Sequence, residues 1–431
     1  MKPLHLLPKL KRALLYFNTY GALSTLKKLI LSSRHSAFKV ESKIARKFSR
    51  FAFWSHKDIA LKSFLYNYIL NKAENISIQA DDCYVTWVVP EYGPSSGGHR
   101  TIFRHISGLK KLGISSRLLI LETNNFFSAE QAQKNLPSDI DLSGLQIEIA
   151  REKSVLSSTI IVTSWHTAYW ARSIAEKQSC RAFYFIQDHE SLFYSSGSLS
   201  TLAQATYEMP YKHIYASSWL AKKVPGNSST LTNKCIVNLG VDIHEFWADE
   251  TITKDREKRL LENEILEIGI YYRPVTPRRM EEHAYLLLEY FSRSRINMRL
   301  HFFGWDWSKH EWPSESQWHK SHGVLKHAEI SKLLDRLDCC ILLGSTNVSL
   351  MPLETMAAGL PTFVNEGENN SCLLEDLPLY FSCLPHIGFN QIVDSLNNRK
   401  LLVDKMKHGI EHARSMSWEM RSREFLEALN S

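Results

Sequence analysis

The sequence predicts an α/β protein with two consecutive domains, each built on a parallel sheet, behind a basic helical extension. Three observations lead to this prediction. The chain has 431 residues, which is too many for a single hydrophobic core. A strand–loop–helix–strand rhythm begins near residue 82, and a second series with the same rhythm begins near residue 267. We therefore place the domains at residues 81–245 and 246–415, followed by a terminal helix at 416–431.

The composition is that of a soluble globular protein, with 44% hydrophobic and 23% charged residues, which excludes disorder of the chain as a whole. The longest apolar runs are far shorter than the ~20 residues of a membrane span. Lys9, Lys11 and Arg12 interrupt the first apolar region, so we expect no secretory signal. The seven cysteines have no metal-ligand spacing, which favours reduced thiols in a cytoplasmic protein.

The net charge of +7 is unevenly distributed along the chain. Residues 1–75 contain 15 Lys and Arg against three Asp and Glu, a charge of +12, and the remaining residues carry −5. Apolar and basic residues alternate there at helical spacing, which predicts a basic helical extension at residues 1–80. Such a segment binds an anionic membrane surface or caps the body of its own protein. No nucleic acid is expected as a partner, because the basic residues do not line a cleft or a face.

In the first domain, a buried-strand pattern at residues 84–90 is followed by a Gly-rich loop at 93–99 and a helix at 100–112. Further strands are predicted at residues 116–122, 159–164, 182–187, 213–216 and 235–238. A charged boundary segment follows at 240–260. The second domain is predicted to contain strands at 267–272, 299–304, 339–343 and 361–365, and helices at 279–293, 328–337 and 353–358. A polar amphipathic helix at 418–429 ends the chain.

Gly97 and Gly98 lie between a predicted strand and a predicted helix. Two glycines let a ligand approach the backbone closely, and the following helix start offers free N–H groups to an anion. The pattern is neither the dinucleotide fingerprint G-x-G-x-x-G nor a P-loop. The alternative is a tight turn that requires a positive φ.

Arg273, Arg278 and Arg279 follow the first strand of the second domain. Arginines at a helix start oppose the helix dipole, so their placement is unfavourable unless they meet an anion. A diphosphate matches the geometry of guanidinium groups. The alternative is a salt bridge to Glu281 or Glu282.

A third candidate site lies where a strand of the second domain runs through a polar loop into a helix. Ser349 and Leu350 would expose backbone amides near the helix start, and Glu354 lies one turn further on. A carboxylate there accepts two hydrogen bonds from a ribose diol; the alternative is a solvated glutamate. In the first domain, Asp188, His189 and Glu190 form a polar cluster at a strand end, suited to acceptor contact or general-base chemistry.

These motifs resemble the retaining glycosyltransferases of family 4, which have the GT-B fold. The pattern P-L-E-x-M-A-x-G-x-P and the five-residue offset between Arg273 and Arg278 match that family, with Arg in place of its Lys. Four ordered segments are similar to the rhamnosyltransferase subgroup typified by the S-layer glycan enzyme WsaF and related rhamnan synthesis proteins: residues 96–103, 184–194, 273–279 and 349–354. The resemblance covers roughly residues 82–430.

The resemblance implies two Rossmann-like domains facing a cleft, with the terminal helix crossing back to the first domain. The first would bind a glycan or lipid-linked oligosaccharide acceptor, and the second a nucleotide sugar. Arg273 and Arg278 would hold the diphosphate and stabilise its charge as it leaves, and His166 would contact the transferred sugar. A lone histidine beside Trp165 is otherwise a structural residue. The implied donor-binding residues are Gly97, Gly98, Arg273, Arg278, Ser349, Leu350 and Glu354.

One position departs from the family pattern. Family members carry Glu-x₇-Glu ending at the equivalent of Glu354, and this chain has Thr346 at the first glutamate. The missing carboxylate fits a 6-deoxy sugar, which favours dTDP-rhamnose as donor, and it also fits an inactive relative. We expect no cofactor and no metal, because the arginines would replace a cation.

The resemblance thus implies a retaining sugar transferase of surface polysaccharide synthesis. We expect it in the cytoplasm, and peripherally on the inner face of the cell membrane through residues 1–75. The alternatives are a GT-B-like sugar-nucleotide epimerase and a non-catalytic binding subunit.

Overall fold

The computed structural model describes residues 76–79, 84–93, 96–121, 128–150, 154–176, 180–224, 235–274, 276–293, 297–305 and 319–431. Residues 1–75, which carry most of the predicted basic extension, lie outside these ranges. The last part of that predicted extension is not helical, because Ile76–Gln79 form a short strand, β1, that pairs in parallel with Ser154–Ser157. Its alternation of isoleucine with polar residues is typical of a strand.

The first domain contains a seven-stranded sheet in which every neighbouring pair of strands is parallel. In the order of the chain, its strands are β2 (Tyr84–Pro90), β3 (Ser115–Leu121), β4 (Gln146–Ile149), β6 (Thr159–Val162), β7 (Arg181–Ile186), β8 (Lys212–Tyr215) and β9 (Cys235–Ile236). Strand β5 (Ser154–Ser157) pairs with β1 and is not part of this sheet. The spatial order is β4-β3-β2-β6-β7-β8-β9. Its helices are α1 (Gly97–Lys111), α2 (Ala129–Lys134), α3 (Trp165–Glu176), α4 (Ser198–Ala205) and α5 (Ser218–Lys223).

The second domain contains a six-stranded parallel sheet in the order β12-β11-β10-β13-β14-β15. These strands are β10 (Leu266–Tyr271), β11 (Met298–Phe303), β12 (His319–Ser321), β13 (Cys339–Leu342), β14 (Thr362–Asn365) and β15 (Leu379–Phe381). The helices are α6 (Glu250–Glu262), α7 (Glu281–Arg293), α8 (His327–Leu334), α9 (Met351–Ala357), α10 (Glu368–Leu374), α11 (Pro385–Asn397), α12 (Arg399–Arg414) and α13 (Trp418–Asn430). The prediction of two parallel-sheet α/β domains is therefore confirmed.

The apolar strand runs are explained by burial on both faces of each sheet. Every residue of β6 and of β13 is buried, as expected for central strands of a parallel sheet that is covered by helices on both sides. None of the helices in the described part of the chain has the length and hydropathy of a membrane span.

The terminal helix α13 packs on the first domain. The Phe425 ring stacks on Trp87 of β2, with ring centroids 5.3 Å apart, and meets Phe185 of β7 edge-on at 5.1 Å. Helices α13 and α1 approach so closely that a Cβ on Gly108 would lie 1.9 Å from the Ser422 Oγ. The chain thus returns from the second sheet and closes over the first.

Several predicted helix boundaries are wrong. Helix α1 begins at Gly97 rather than at residue 100, because Ser96 is its N-cap and the Arg100 N–H already donates to the Ser96 carbonyl. Helix α7 begins at Glu281, because Met280 has a positive φ of 53° that separates it from the 3₁₀ turn Pro277–Arg279. The segment 240–260, predicted as a boundary, contains most of the long helix α6, whose N-cap is Asp249.

Arg256 of α6 is fully buried and holds the C-terminal ends of two helices in place. Its guanidinium donates to the carbonyl oxygens of Leu334 at 2.8 Å, Leu337 at 3.1 Å and Ala358. These carbonyls lie at or just after the C-terminal ends of α8 and α9, where a cation is favoured by the helix dipole. Burial lowers the pKa of Arg256 to about 10, so it stays charged at neutral pH.

We expect Arg256→Met to lower the free energy of unfolding by about 3 kcal/mol, because it leaves buried carbonyl groups without donors. Urea unfolding measures this loss. Lys254→Met, on the exposed side of the same helix, is the matched control and should change stability by less than about 0.5 kcal/mol. A loss below about 1 kcal/mol for Arg256→Met would contradict the role assigned to this arginine.

Candidate functional site

The two domains meet at the carboxyl ends of their sheets, where Asp188 follows β7 and a loop of the second domain follows β13. The Asp188 carboxylate accepts hydrogen bonds from the Thr346 hydroxyl at 3.1 Å and from the Asn347 N–H at 3.0 Å. The Asn347 side chain donates to the Gln187 carbonyl at 2.9 Å and accepts from the Ser217 hydroxyl at 2.7 Å. Thr346 and Asn347 are both buried, so this polar contact between the domains is largely shielded from water.

Arg278 lies at the same contact. Its Nε is 3.4 Å from an oxygen of Asp188, and its guanidinium lies over the Phe193 ring at 4.2 Å from the centroid. Its backbone carbonyl accepts from the Ser345 N–H at 3.0 Å, which ties the arginine turn to the loop after β13. Stacking on an aromatic ring and pairing with a carboxylate fix the guanidinium at the cleft.

Two more arginines lie beside Arg278. Arg273 follows β10 and donates to the Tyr271 hydroxyl at 3.4 Å, while its buried Nε has no hydrogen-bond partner. The Arg279 guanidinium lies 3.4 Å from where a Cβ on Gly344 would be. Burial lowers the pKa of Arg279, and Arg278 and Arg273 lower it further, against the opposing effect of Tyr271 and Asp188.

The arginine cluster, defined as Arg273, Arg278 and Arg279, therefore has positive charge in excess of the single carboxylate of Asp188 that faces it. Such a group of guanidiniums is stabilised by a multiply charged anion. The salt bridge to Glu281 or Glu282, the alternative from the sequence, is not formed by Arg278 or Arg279. The helix-dipole argument also fails, because Arg278 and Arg279 lie in the 3₁₀ turn before α7 and not at the start of that helix.

Glu354 is buried in α9 and is therefore not the solvated glutamate of the alternative interpretation. One of its oxygens lies 3.1 Å from Nε2 of His327, whose Nδ1 lies 2.7 Å from Glu245. Burial by itself lowers the pKa of His327, but its hydrogen bonds to the two carboxylates outweigh burial and raise the pKa overall. Glu354 thus has an ordered partner that the sequence did not indicate.

The carboxylates of Asp139 and Glu245 and the ring of His327 lie close enough together to hold a metal ion, with ligand atoms within 4.8 Å of one another. The guanidinium of Arg100 lies among them. It pairs with Asp139, and its Nη2 is 2.8 Å from the His327 Nδ1 and 3.6 Å from Glu245. Arg100 therefore already supplies a positive charge at this point.

Gly97 and Gly98 form the first turn of α1, and neither has a positive φ, so the tight-turn alternative is wrong. A Cβ on Gly97 would meet nothing within 4 Å, and one on Gly98 would meet only Gln187, at 3.6 Å. The space beside the start of α1 is therefore open, and Gln187 lies next to it. His99 supports the turn through contacts of 2.7 Å to the Ser96 hydroxyl and 3.0 Å to a backbone carbonyl, with a pKa lowered to about 4 by burial.

The three residues of the predicted polar cluster point to different partners. Asp188 faces the second domain, whereas His189 turns back to Gln204 of α4 at 3.1 Å. Glu190 accepts from the Tyr184 hydroxyl at 2.7 Å and from the Trp165 N–H at 2.6 Å. Of the three, only Asp188 contacts the second domain.

Burial raises the pKa of Glu190 to about 7, and the nearby Asp188 raises it further, against the lowering effect of Tyr184, Trp165 and Arg278. A carboxyl group that titrates near neutrality is suited to proton transfer at physiological pH. Glu190 is electrostatically coupled to both Asp188 and Arg278, so it belongs to the charged region around the cleft.

His166 lies in the first turn of α3, and its ring lies against that of Trp165 at a centroid distance of 3.8 Å, with the two planes tilted by 34°. Burial lowers its pKa to about 4, so it is neutral at physiological pH. Ser349 and Leu350 are half-buried at the start of α9, and the Leu350 carbonyl accepts from the Glu354 N–H.

Two residues that contribute to the site are missing from the sequence prediction, His327 and Arg100. His327 connects Glu354 to Glu245, and Arg100 approaches it from the first domain. Their partners are far away in sequence, and His327 lies in none of the segments that carry the resemblance. Arg100 lies two residues after the glycine pair, within the segment 96–103, and this position is the signal that could have drawn attention to it.

Comparison with known protein families finds one match in each of the two domains. Residues 148–217 match the family described as "WsaF, N-terminal domain", and residues 266–397 match "WsaF, C-terminal domain". A curated relative, the O-antigen biosynthesis protein RfbC of Myxococcus xanthus, is 27% identical over 146 residues. That match covers 33% of this chain and only 11% of the relative, so the chain spans about a tenth of that protein's length.

Solved structures with this fold are GT-B glycosyltransferases. The sucrose-phosphate synthase of Thermosynechococcus elongatus is 12% identical with a TM-score of 0.58, over 80% of this chain and 97% of that one. HepE of Anabaena, solved in complex with UDP, is 11% identical with a TM-score of 0.61, over 80% and 99%. WaaG, a glycosyltransferase involved in lipopolysaccharide biosynthesis, is 12% identical with a TM-score of 0.54, over 80% and 99%. At these identities the likeness shows the fold, which is GT-B as the sequence predicts.

The raised pKa of Glu190 predicts a pH-dependent effect on stability. Between about pH 4.5 and pH 7 the folded chain keeps a proton that the unfolded chain loses, so Glu190 contributes less stability as the pH rises. Glu190→Gln removes this titration. The melting temperature of the variant minus that of the native chain should therefore increase between pH 5 and pH 7.5. This increase should correspond to about 2 kcal/mol in the free energy of unfolding.

Differential scanning fluorimetry across this pH range measures the effect. Glu208→Gln, which removes an exposed carboxylate of the same domain, is the matched control. A difference between Glu190→Gln and the native chain that stays constant with pH would show that Glu190 titrates at its ordinary value.

Proposed function

Because this chain carries the N-terminal and C-terminal domains of the WsaF family on a GT-B fold, we propose that it is a glycosyltransferase of polysaccharide biosynthesis. It would transfer a sugar from a nucleotide-diphosphate donor to a glycan or lipid-linked acceptor. The relatives support this assignment, since RfbC is an O-antigen biosynthesis protein and WaaG is involved in lipopolysaccharide biosynthesis.

The observation that carries the proposal is the arginine cluster at the carboxyl ends of β10 and β13. Ligands of open α/β sheets bind at this edge. The Nε atoms of Arg273 and Arg278 are buried without hydrogen-bond partners, and the cluster has excess positive charge. A nucleotide diphosphate supplies the matching negative charge, and HepE, whose structure contains UDP, has the same fold. The arginines would also stabilise the charge that grows on the diphosphate as the bond to the sugar breaks.

We propose dTDP-rhamnose as the donor, in line with the WsaF resemblance and with Thr346 in place of a glutamate. Transfer would retain the anomeric configuration, as in the family that the motifs resemble. No divalent metal would be required, because three guanidinium groups neutralise the leaving diphosphate. Glu354 would hold the ribose of the nucleotide after exchanging its contact with His327, and the amides of Ser349 and Leu350 would face the phosphates.

The acceptor would bind against the first domain, on the side of the cleft formed by α1 and the residues after β7. Gly97 and Gly98 would face the diphosphate or the acceptor from this side, and the open space beside them leaves room for either. His166 and Glu190 lie in the same domain near the strand ends, where they would contact the sugar or the acceptor.

Isothermal titration calorimetry with dTDP and UDP, in the presence of EDTA, tests the proposal. We expect micromolar binding of at least one nucleotide to the native chain, and at least about 10-fold weaker binding to Arg273→Ala, because a charge-assisted hydrogen bond is lost. His166→Ala should weaken nucleotide binding less than Arg273→Ala does.

Arg299→Ala is the matched control, since Arg299 pairs with Glu267 at the amino end of its strand, on the opposite edge of the same sheet. It should leave nucleotide affinity unchanged. Failure of both nucleotides to bind the native chain would reject the glycosyltransferase assignment. Binding that appears only when Mg²⁺ is added would reject metal independence.

We further propose that residues 1–75 bring the enzyme to an anionic membrane surface on the cytoplasmic side. The basis is their charge of +12, since their structure lies outside the described residues. Electrostatic attachment weakens as salt screens it. The full chain should therefore sediment with vesicles that contain phosphatidylglycerol, less so at high salt, and not with vesicles of phosphatidylcholine alone.

Replacing Lys27, Lys28, Arg46, Lys47 and Arg50 by Gln should reduce this sedimentation at least several-fold. Replacing five exposed basic residues of the described domains, Lys254, Lys258, Arg293, Lys400 and Lys407, is the control with the same loss of charge. Equal effects of the two sets would show that overall charge, rather than the extension, drives vesicle binding.

A further inference from the structure

We propose that Asp188 recognises a hydroxyl group of the transferred sugar. This role differs from the acceptor contact that the sequence predicts for Asp188, and it rests on the proposed function, since it requires a sugar nucleotide in the cleft. It assigns the sugar specificity of the site to a carboxylate of the first domain, whereas the diphosphate is held by arginines of the second.

The Asp188 carboxylate is fixed in place from both domains. One oxygen accepts from the His189 N–H at 2.9 Å and from the Asn347 N–H at 3.0 Å. The other accepts from the Thr346 hydroxyl at 3.1 Å. A group held by three donors loses little conformational freedom when a ligand binds, which favours selective recognition.

The carboxylate nevertheless retains the capacity for one further hydrogen bond. An ionised carboxylate accepts about four hydrogen bonds, and three donors contact Asp188. Its contact with Arg278 is an ion pair at 3.4 Å, and the Arg278 Nε makes no hydrogen bond. The unused acceptor position therefore lies on the oxygen that faces Arg278, and the side chain is 15% exposed, enough for a ligand to reach it.

The position of Arg278 explains why a sugar hydroxyl would occupy that site. If Arg278 holds the diphosphate, the sugar bonded to that diphosphate must lie within a few ångströms of the guanidinium, and so beside Asp188. A hydroxyl group that donates to a carboxylate makes a stronger hydrogen bond than one between neutral groups. Other ligands of this site, such as a free nucleotide, have no hydroxyl at that point.

Thr346 and Asp188 form a matched pair in this arrangement. The Thr346 hydroxyl orients the carboxylate, and a glutamate at position 346 would instead place a second negative charge against Asp188 in a buried position. Thr346 is thus a positioning residue. Since the two residues come from different domains, the sugar site exists only while the two sheets meet as they do here.

Calorimetry with dTDP and dTDP-rhamnose on the full chain tests this inference, with UDP and UDP-glucose as a second pair. In the native chain the sugar should strengthen binding relative to the free nucleotide. Asp188→Asn should weaken binding of the sugar nucleotide about 10-fold. Its affinity for the free nucleotide should stay the same or increase, because a negative charge beside the arginine cluster is removed.

Variants of Thr346 supply the matched controls. Thr346→Val removes the hydroxyl that orients Asp188, so it should weaken sugar-nucleotide binding about three-fold without changing nucleotide affinity. Thr346→Ser keeps a hydroxyl and should behave like the native chain. This rescue distinguishes positioning of the carboxylate from a general effect on packing.

Equal loss of nucleotide and sugar-nucleotide affinity in Asp188→Asn would overturn the inference, because Asp188 would then act only by fixing Arg278 or the domain contact. Unchanged affinity for both ligands would overturn it as well. Failure of the native chain to bind any of the four ligands would instead reject the proposed function on which the inference rests.

Discussion

The contact of Asp188 with the loop after β13 is the interaction on which the site depends. It joins the carboxyl ends of two separate parallel sheets through hydrogen bonds to Thr346 and Asn347, in a position that is largely closed to water. A carboxylate that is largely removed from water is costly unless donors satisfy it, and the Asp188 side chain is only 15% exposed. This contact therefore strongly specifies how the two domains meet. Without that arrangement, the arginines of the second domain and the carboxylates of the first would not share a cleft.

Charge is divided between the two sides of this cleft in a consistent way. The arginine cluster lies on the second domain, and the carboxyl groups of Asp188 and Glu190 lie on the first. A ligand with a diphosphate at one end and hydroxyl groups at the other satisfies both sides at once, which is the chemistry of a sugar nucleotide. Arg100 and His327 extend the network from α1 to Glu354, so that α9 of the second domain is also coupled to the first domain.

Residues that are far from the cleft serve to keep this geometry. Arg256 binds carbonyl groups beyond α8 and α9, the two helices that carry His327 and Glu354. Phe425 and Ser422 of α13 anchor the end of the chain on β2, β7 and α1, the elements that lead to Asp188 and to the glycine pair. The helices and strands that position the site are therefore held by contacts between segments that are remote in sequence.

The sequence by itself determined the two parallel-sheet domains, the fold class and the arginine motif, because strand and helix patterns and short motifs depend on neighbouring residues. It did not determine the start of α1 at Gly97, the left-handed Met280 before α7 or the different directions of Asp188, His189 and Glu190. Only the tertiary structure decided which partners these groups meet. Asp188 finds Thr346, 158 residues away, because the two sheets bring their carboxyl ends together. Glu354 finds His327, 27 residues away, because α8 and α9 of the second domain come together there. Local sequence contains no information on such distant pairs, and the site consists mainly of them.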